Sequence, residues 1–537
     1  MDDFFYQLQQ IFTSRRRYWG LLVLGLGVMF LLGALMTKLS IGVLFGLVTL
    51  AGVGLVLLTR PDTATMIVMF MIYTNISVVA YKLHNLPQAL AGAVILLILL
   101  PFAVYVFVRR EKIRIDYIFL FMLLYFAAQL LSFFPAIDKE VALDWIITYV
   151  IEGLILYFLI LNVIRRSDVL RKVTWALILG GALLGALTLY QDVTKTYSNN
   201  YMGLAQRNVN FGFDEDRANM DPNLTGKRPK IQLAQRAQGP IGDPNRYAQI
   251  LIVLLPLAYF RFFDEKKWLL KLIAAGSAGF ILSGILLTYS RGAFLAICII
   301  MLLMTVMRYI RPYQIIISAV GVFALIMIAS PGYLSRIGTI GGVQGLFSSE
   351  KAAETDAVIM GRTTEMLAAL MVFLDHPIVG VGMGQYIKFY ALDYQDDPNI
   401  ALRKLDKGRR AHSLYVELAA ETGILGISTF LLVAFFVLYQ LWQARKRWTG
   451  VNSEYANYAA AYFLSLVGYL STAVFLSLAF QRFYWVLVAL AGSTIQILNS
   501  ETQEGQAAGN DAPVENALAP RPESAALHET HSNPSLK

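Results

Sequence analysis

Long apolar runs separated by short polar turns fill nearly the whole chain. A run of 18 or more apolar residues is long enough to cross roughly 30 Å of hydrocarbon as a helix. Fourteen such runs fall near 19–36, 40–59, 63–81, 88–108, 116–134, 143–163, 173–190, 246–263, 268–289, 292–308, 313–330, 424–442, 457–478 and 483–498. They predict an all-α polytopic transmembrane bundle of 12–14 spans. No span carries the mid-membrane break or inverted pair expected of a transporter coupling site. Residues 1–190 hold about seven spans, 246–330 the middle spans and 424–499 the last ones. Two long segments interrupt the series, 191–245 and 331–423, the second with an amphipathic helix. From about Ser500 to 537 the chain turns rich in Ala, Pro, Glu, Ser and Asn, the composition of a disordered tail.

Composition makes the medium unambiguous. Of 537 residues, 57% are hydrophobic and 15% charged, against about 45–50% and about 25% in soluble domains. A soluble enzyme, a disordered protein and a collagen-like chain are excluded. The one cysteine, Cys298, permits no intramolecular disulfide and no cysteine-based metal site. The net charge of +9 would suggest nucleic acid in a soluble chain. In a membrane chain it poses the question of sidedness. With the N-terminus inside, the inner turns hold Arg60, then Arg109, Arg110, Lys112 and Arg114, then Arg165, Arg166, Arg171 and Lys172. Arg261, Lys266, Lys267, Arg308, Arg311, Arg445, Lys446 and Arg447 continue the series. The outer turns hold little more than Lys38, Lys82, Lys139, Arg291 and Arg482. Both termini are therefore expected in the cytoplasm and both long segments outside. The stretch after Arg15-Arg16-Arg17 is too long for a cleavable signal peptide. Long outer segments among short turns mark function.

The polar residues near these segments supply candidate chemistry. The first segment ends in Arg236, then Asp243-Pro244-Asn245-Arg246, directly before a span. Asp243 or Asn245 can cap that helix, with Pro244 tightening the turn. Its N-terminus, with Arg236 and Arg246, would suit a phosphate or pyrophosphate. The alternative is an ordinary turn with its arginines among lipid headgroups. Thr288-Tyr289-Ser290-Arg291-Gly292 breaks two apolar runs. An arginine there either snorkels or meets an anion.

In the second segment, residues 361–376 read as an amphipathic helix with Met366, Leu370, Val372, Phe373 and Leu374 on its apolar face, suited to the membrane surface. Gly380, Gly382 and Gly384 make a glycine-rich turn with no strand before it, for close packing or approach to a phosphate. Arg403, Lys404, Lys407, Arg409 and Arg410 precede His412. Ser413 can cap the following helix, on which Glu417 and Glu421 share a face. A neutral imidazole beside a basic cluster can serve as a general base. It can equally be a loop histidine in a headgroup layer. No His/Asp/Glu cluster has metal-ligand spacing, so no metal and no cofactor are expected.

The order R-x-x-G-x-x-x-D-P-N, S-R-G, D-H-P-x-x-G-x-G-x-G and H-S-x-Y-x-x-x-x-x-E-x-G-x-x-G, over about 236–440, resembles the O-antigen ligase and O-antigen polymerase superfamily of multi-pass membrane glycosyltransferases. The resemblance implies transfer of a glycan from an undecaprenyl-diphosphate carrier to an acceptor hydroxyl. The acceptor would be a glycolipid, a glycan or a protein, at the periplasmic face of the bacterial inner membrane, without metal or nucleic acid. It assigns Arg236 and Arg291 to the diphosphate, with Arg246 beside them, and His412 to acceptor activation. Asn245 and Glu421 match motif positions in supporting roles. Ser413 departs from the asparagine common in the family, and relatives often have about twelve spans. A polymerase of the same superfamily and a polysaccharide flippase are the competing readings.

Overall fold

The computed structural model describes residues 60–84, 97–207, 236–311, 313–314, 353–394, 397–399, 409–477 and 481–510. Among them the chain is helical without strands, an all-α polytopic protein. The spans expected at 19–36 and 40–59, residues 88–96 and 315–330 of two others, and the basic residues Arg403, Lys404 and Lys407 lie outside the described residues.

The helices are α1 (Pro61–Tyr73), α2 (Ile76–His84), α3 (Leu99–Val108), α4 (Tyr117–Ser132), α5 (Lys139–Val163), α6 (Ser167–Val193) and α7 (Pro244–Ile252). They continue as α8 (Leu254–Asp264), α9 (Trp268–Leu287), α10 (Arg291–Val306), α11 (Ala353–Asp375), α12 (Leu414–Trp448), α13 (Ser453–Phe475) and α14 (Gln481–Asn510). Seven of the described segments are long and apolar enough to span, or eight if the bent pair α1–α2 is one span. Residues 481–495 of α14 are buried without interruption, which makes it a central post. Leu269, Leu272 and Phe280 of α9, and Leu431 and Phe435 of α12, stay exposed, as side chains facing lipid do.

Small residues set the closest helix approach. A Cβ at Gly185 of α6 would stand 2.1 Å from the Phe280 carbonyl oxygen of α9. Contact at this range needs glycine, and it brings the two backbones together.

One expectation is corrected. The chain is not free of broken spans: α1 and α2 meet at 52°, around Asn75 with φ 57°. Asn75 Nδ2 donates to the Pro240 carbonyl at 3.0 Å, and Tyr73 Oη donates to that of Ile250, so the bend is stitched to the segment before and within α7. The last candidate span runs to Thr502, and its helix, α14, continues to Asn510. The helix expected after Ser413 is the first part of α12, which begins at Leu414. It meets the span at a break inside α12, where Gly423 takes φ 63° and ψ −166°.

That break interlocks with the glycine-rich turn. Val381 N–H donates to Ala420 at 3.0 Å, Gly382 N–H to Glu421 at 2.9 Å, and Ile424 N–H to Pro377 at 2.8 Å. The turn supplies the hydrogen bonds that α12 loses at its break. A Cβ at Gly423 would meet the Ile378 carbonyl oxygen at 2.2 Å. Gly423→Ala is therefore expected to destabilise the protein by at least about 2 kcal/mol. Gly276→Ala, where a Cβ meets nothing within 4 Å, should be neutral. Thermal unfolding of the two variants in detergent separates them.

The two ends of the bundle differ. At one end lie Arg261, Asp264, Glu265, Arg171 and Glu454. Arg261 pairs with Asp264 at 2.8 Å and Glu454 at 3.2 Å, and Arg171 with Glu265 at 2.7 Å. At the other end, the starts of α7, α10 and α12 gather with the C-terminus of α9.

Candidate functional site

Helix starts build the site. Asp243 caps α7, its Oδ1 accepting Arg246 N–H at 2.8 Å, with Pro244 in the first turn. Of the two residues able to cap this helix, Asp243 does so. Asn245 turns elsewhere, and its Oδ1 accepts from Arg236 Nη2 at 2.9 Å. Arg236 Nε also donates to the Thr288 carbonyl at 2.7 Å, and Ala237 N–H to Leu287 at 3.0 Å. These bonds satisfy carbonyls at the C-terminal end of α9. They fix the chain just before Tyr289, whose φ of 53° turns it sharply into α10. Ser290 caps α10 through Ala293 N–H, and Arg291 is its first residue. Arg236 and Asn245 thus tie down the turn that presents Arg291. Arg246 reaches Ser477 Oγ at 3.1 Å in the turn before α14.

Helix α11 brings two groups that the sequence does not single out, Arg362 and Glu365. Its enclosed face is Thr364, Glu365, Ala368, Ala369 and Val372, packed with Val381, Tyr386, Tyr390 and Ala411. Leu370 and Leu374, expected on the same apolar face as Val372, point outward instead. They form a separate stripe that is available to lipid. The missed signal was a charged pair three residues apart on the small-residue side of an apolar helix.

The segment before α12 delivers the histidine. Ser413 occupies the capping position, but its side chain makes no capping bond. Glu417 does the corresponding work: Oε2 accepts Ala411 N–H at 3.0 Å and Oε1 accepts Arg410 Nε at 2.9 Å. Arg410 also lies over the Trp145 ring at 5.0 Å. His412 then adopts φ 51°, a left-handed conformation uncommon for a residue with a side chain. Its Nε2 stands 3.4 Å from Glu365 Oε2, and Arg409 Nη1 is 3.1 Å from Glu365 Oε1. The Glu365 side chain is 0% exposed, that of His412 24%.

The electrostatics show which charges share this space. Burial, then Arg362, Arg409, Arg246 and Arg410, hold the His412 pKa well below the ordinary histidine value. Arg362 is pushed down by burial and then by Arg291, and is drawn up by Glu365 and Asp243. A guanidinium stays charged at neutral pH regardless. Arg246, Arg362, Arg409 and Arg410 therefore act on a neutral imidazole, with Glu365 in contact with it, while Arg291 and Asp243 act on Arg362.

Not every expected residue joins this group. Glu421 is a tether: Oε1 accepts Tyr386 N–H at 3.3 Å, and the side chain lines a small cavity with Trp145, Met383, Arg410, Leu414, Glu417 and Leu418. His376 stays outside, edge-on to Phe389. Among the described residues no group of three or more His, Cys, Asp or Glu side chains is placed to hold a metal.

No curated protein matches the chain. Residues 276–431, from the middle of α9 to α12, match the family model described as O-antigen ligase. Arg291, Arg362, Glu365, Arg409 and His412 all fall inside that stretch, which is similar to the O-antigen ligase family.

Proposed function

We propose that this protein transfers a glycan from a polyprenyl-diphosphate carrier, undecaprenyl diphosphate in bacteria, to an acceptor hydroxyl at the outer face of the inner membrane. The observation that carries this reading is the cluster of Arg409, Glu365 and His412 in contact, with Arg246 and Arg362 acting on His412 and Arg291 acting on Arg362. A diphosphate diester carries two negative charges. Arg246, Arg291, Arg362 and Arg409 together exceed Asp243 and Glu365 by the same amount. Guanidinium forks bind phosphate oxygens in pairs. The N-termini of α7 and α10 add partial positive charge on the same side.

Chemistry follows from these positions. The acceptor oxygen attacks the anomeric carbon of the donor sugar as the bond to the diphosphate breaks. The electron pair leaves with the carrier, and the arginines stabilise the growing charge. His412 takes the hydroxyl proton. In-line displacement inverts the anomeric centre. Arg236 and Asn245 serve the same step by holding the turn that carries Arg291.

Because burial and the arginines depress the His412 pKa, the base form persists as pH falls. Transfer is expected to stay level through pH 6.5 and to fail only at lower pH, as His412 protonates. A rate–pH profile checks this, and an acid limb at or above 6.5 would contradict it. The family covers ligases and polymerases, which differ in acceptor. Deletion of the gene distinguishes them: a ligase leaves carrier-linked polymer unattached, and a polymerase leaves single repeat units. Unchanged glycan of both kinds would remove the reading.

A further inference from the structure

Glu365 is a carboxylate with no exposed surface, on a helix that otherwise packs through alanines and a valine. Burying such a charge costs several kcal/mol unless fixed partners compensate. Its Oε1 accepts from Arg409 at 3.1 Å, and its buried Oε2 stands 3.4 Å from His412 Nε2, a contact longer than a well-formed hydrogen bond. Both sides of that second contact are held. Tyr386 Oη donates to the Glu365 carbonyl at 2.6 Å, which sets α11 against the glycine-rich turn. Glu417 grips Ala411 N–H, which sets the backbone leading into His412.

We infer that Glu365 is the positioning residue for His412, holding the imidazole with Nε2–H toward the carboxylate and Nδ1 toward the acceptor hydroxyl. The inference rests on the transferase reading. A neutral imidazole has one donor and one acceptor nitrogen, and the partner of one decides the role of the other. When Nδ1 takes the acceptor proton, His412 becomes a cation. Around it stand Arg362 of α11, Arg409 and Arg410 of the preceding segment, and Arg246 of α7. Arg291 and Asp243 lie next to Arg362. Glu365 is the acid in contact with the ring, so it offsets the charge formed in the transition state. It takes no proton itself: the Nε2–H stays on the ring, and the acceptor proton stays on Nδ1 until release.

The test is the rate–pH profile of the purified full chain with a polyprenyl-diphosphate glycan as donor. Glu365→Gln should lower kcat at least about tenfold, leave the donor KM within about threefold, and move the acid limb down by about one unit or more. Glu365→Asp withdraws the carboxylate from the ring and should lower kcat and move the limb down by a smaller step. This graded shift decides the matter if Glu365→Gln does not fold. Unshifted limbs in the folded variants, with His412→Ala inactive, would overturn the role of Glu365 and leave the transferase reading intact. Full activity of His412→Ala would instead remove the reading beneath it.

Discussion

Alanine at position 412 is expected to slow glycan transfer by at least about a hundredfold, the usual contribution of a placed general base. The chain should still insert and fold. The His412 ring is a quarter exposed, and its loop is held by Glu417 through Ala411 and Arg410 rather than through the ring. Its left-handed backbone also tolerates a small residue at modest cost. Initial rates with matched amounts of folded protein give the answer, with thermal unfolding as the control. A loss smaller than tenfold would assign proton removal elsewhere.

Arg291→Lys should be nearly as damaging as Arg291→Ala. A lysine restores the charge but not the planar fork that binds two phosphate oxygens together. Truncating one member of a buried charged pair costs about 2–5 kcal/mol, so kcat/KM is expected to fall by about thirtyfold or more. Arg362→Lys should behave likewise, because the Arg291 charge acts on Arg362. The double variant should lose less than the product of the single losses, since the two would share one anion. Independent, multiplicative losses would show that they bind different groups. Steady-state kinetics with a lipid-diphosphate glycan measures both.

Much of the bundle could be read from the chain, because a membrane leaves an apolar run few options. It must span as a helix, and its length shows in the residues. The expected spans at 143–163, 173–190, 246–263, 268–289 and 457–478 correspond to helices of spanning length. The breaks were less visible. Asn75 and Gly423 are single residues in long apolar stretches. Their bends depend on distant partners, the Pro240 carbonyl and the 377–382 turn. Spacing along the chain carries no trace of those contacts.

The candidate site divides in the same way. Arg246, Arg291 and His412 stand out because polar residues at span ends are conspicuous. The structure groups them through Arg362. Arg362 and Glu365 were hidden in a helix whose apolar pattern pointed to the membrane surface. Their importance follows from packing against the segment at 409–413, far away in sequence. Arg236 was expected at the diphosphate and Asn245 in support of it. Their hydrogen bonds, to Thr288 and to each other, hold the Arg291 turn.

The most direct measurement is stoichiometric. Purified protein in detergent is given a defined undecaprenyl-diphosphate glycan and an acceptor glycolipid, and both products are counted by mass spectrometry. The account predicts one free undecaprenyl diphosphate for each glycan transferred, with both products formed at least about thirtyfold more slowly by His412→Ala and Arg291→Ala. Transfer at the wild-type rate by those two variants, or transfer without release of the carrier diphosphate, would contradict it.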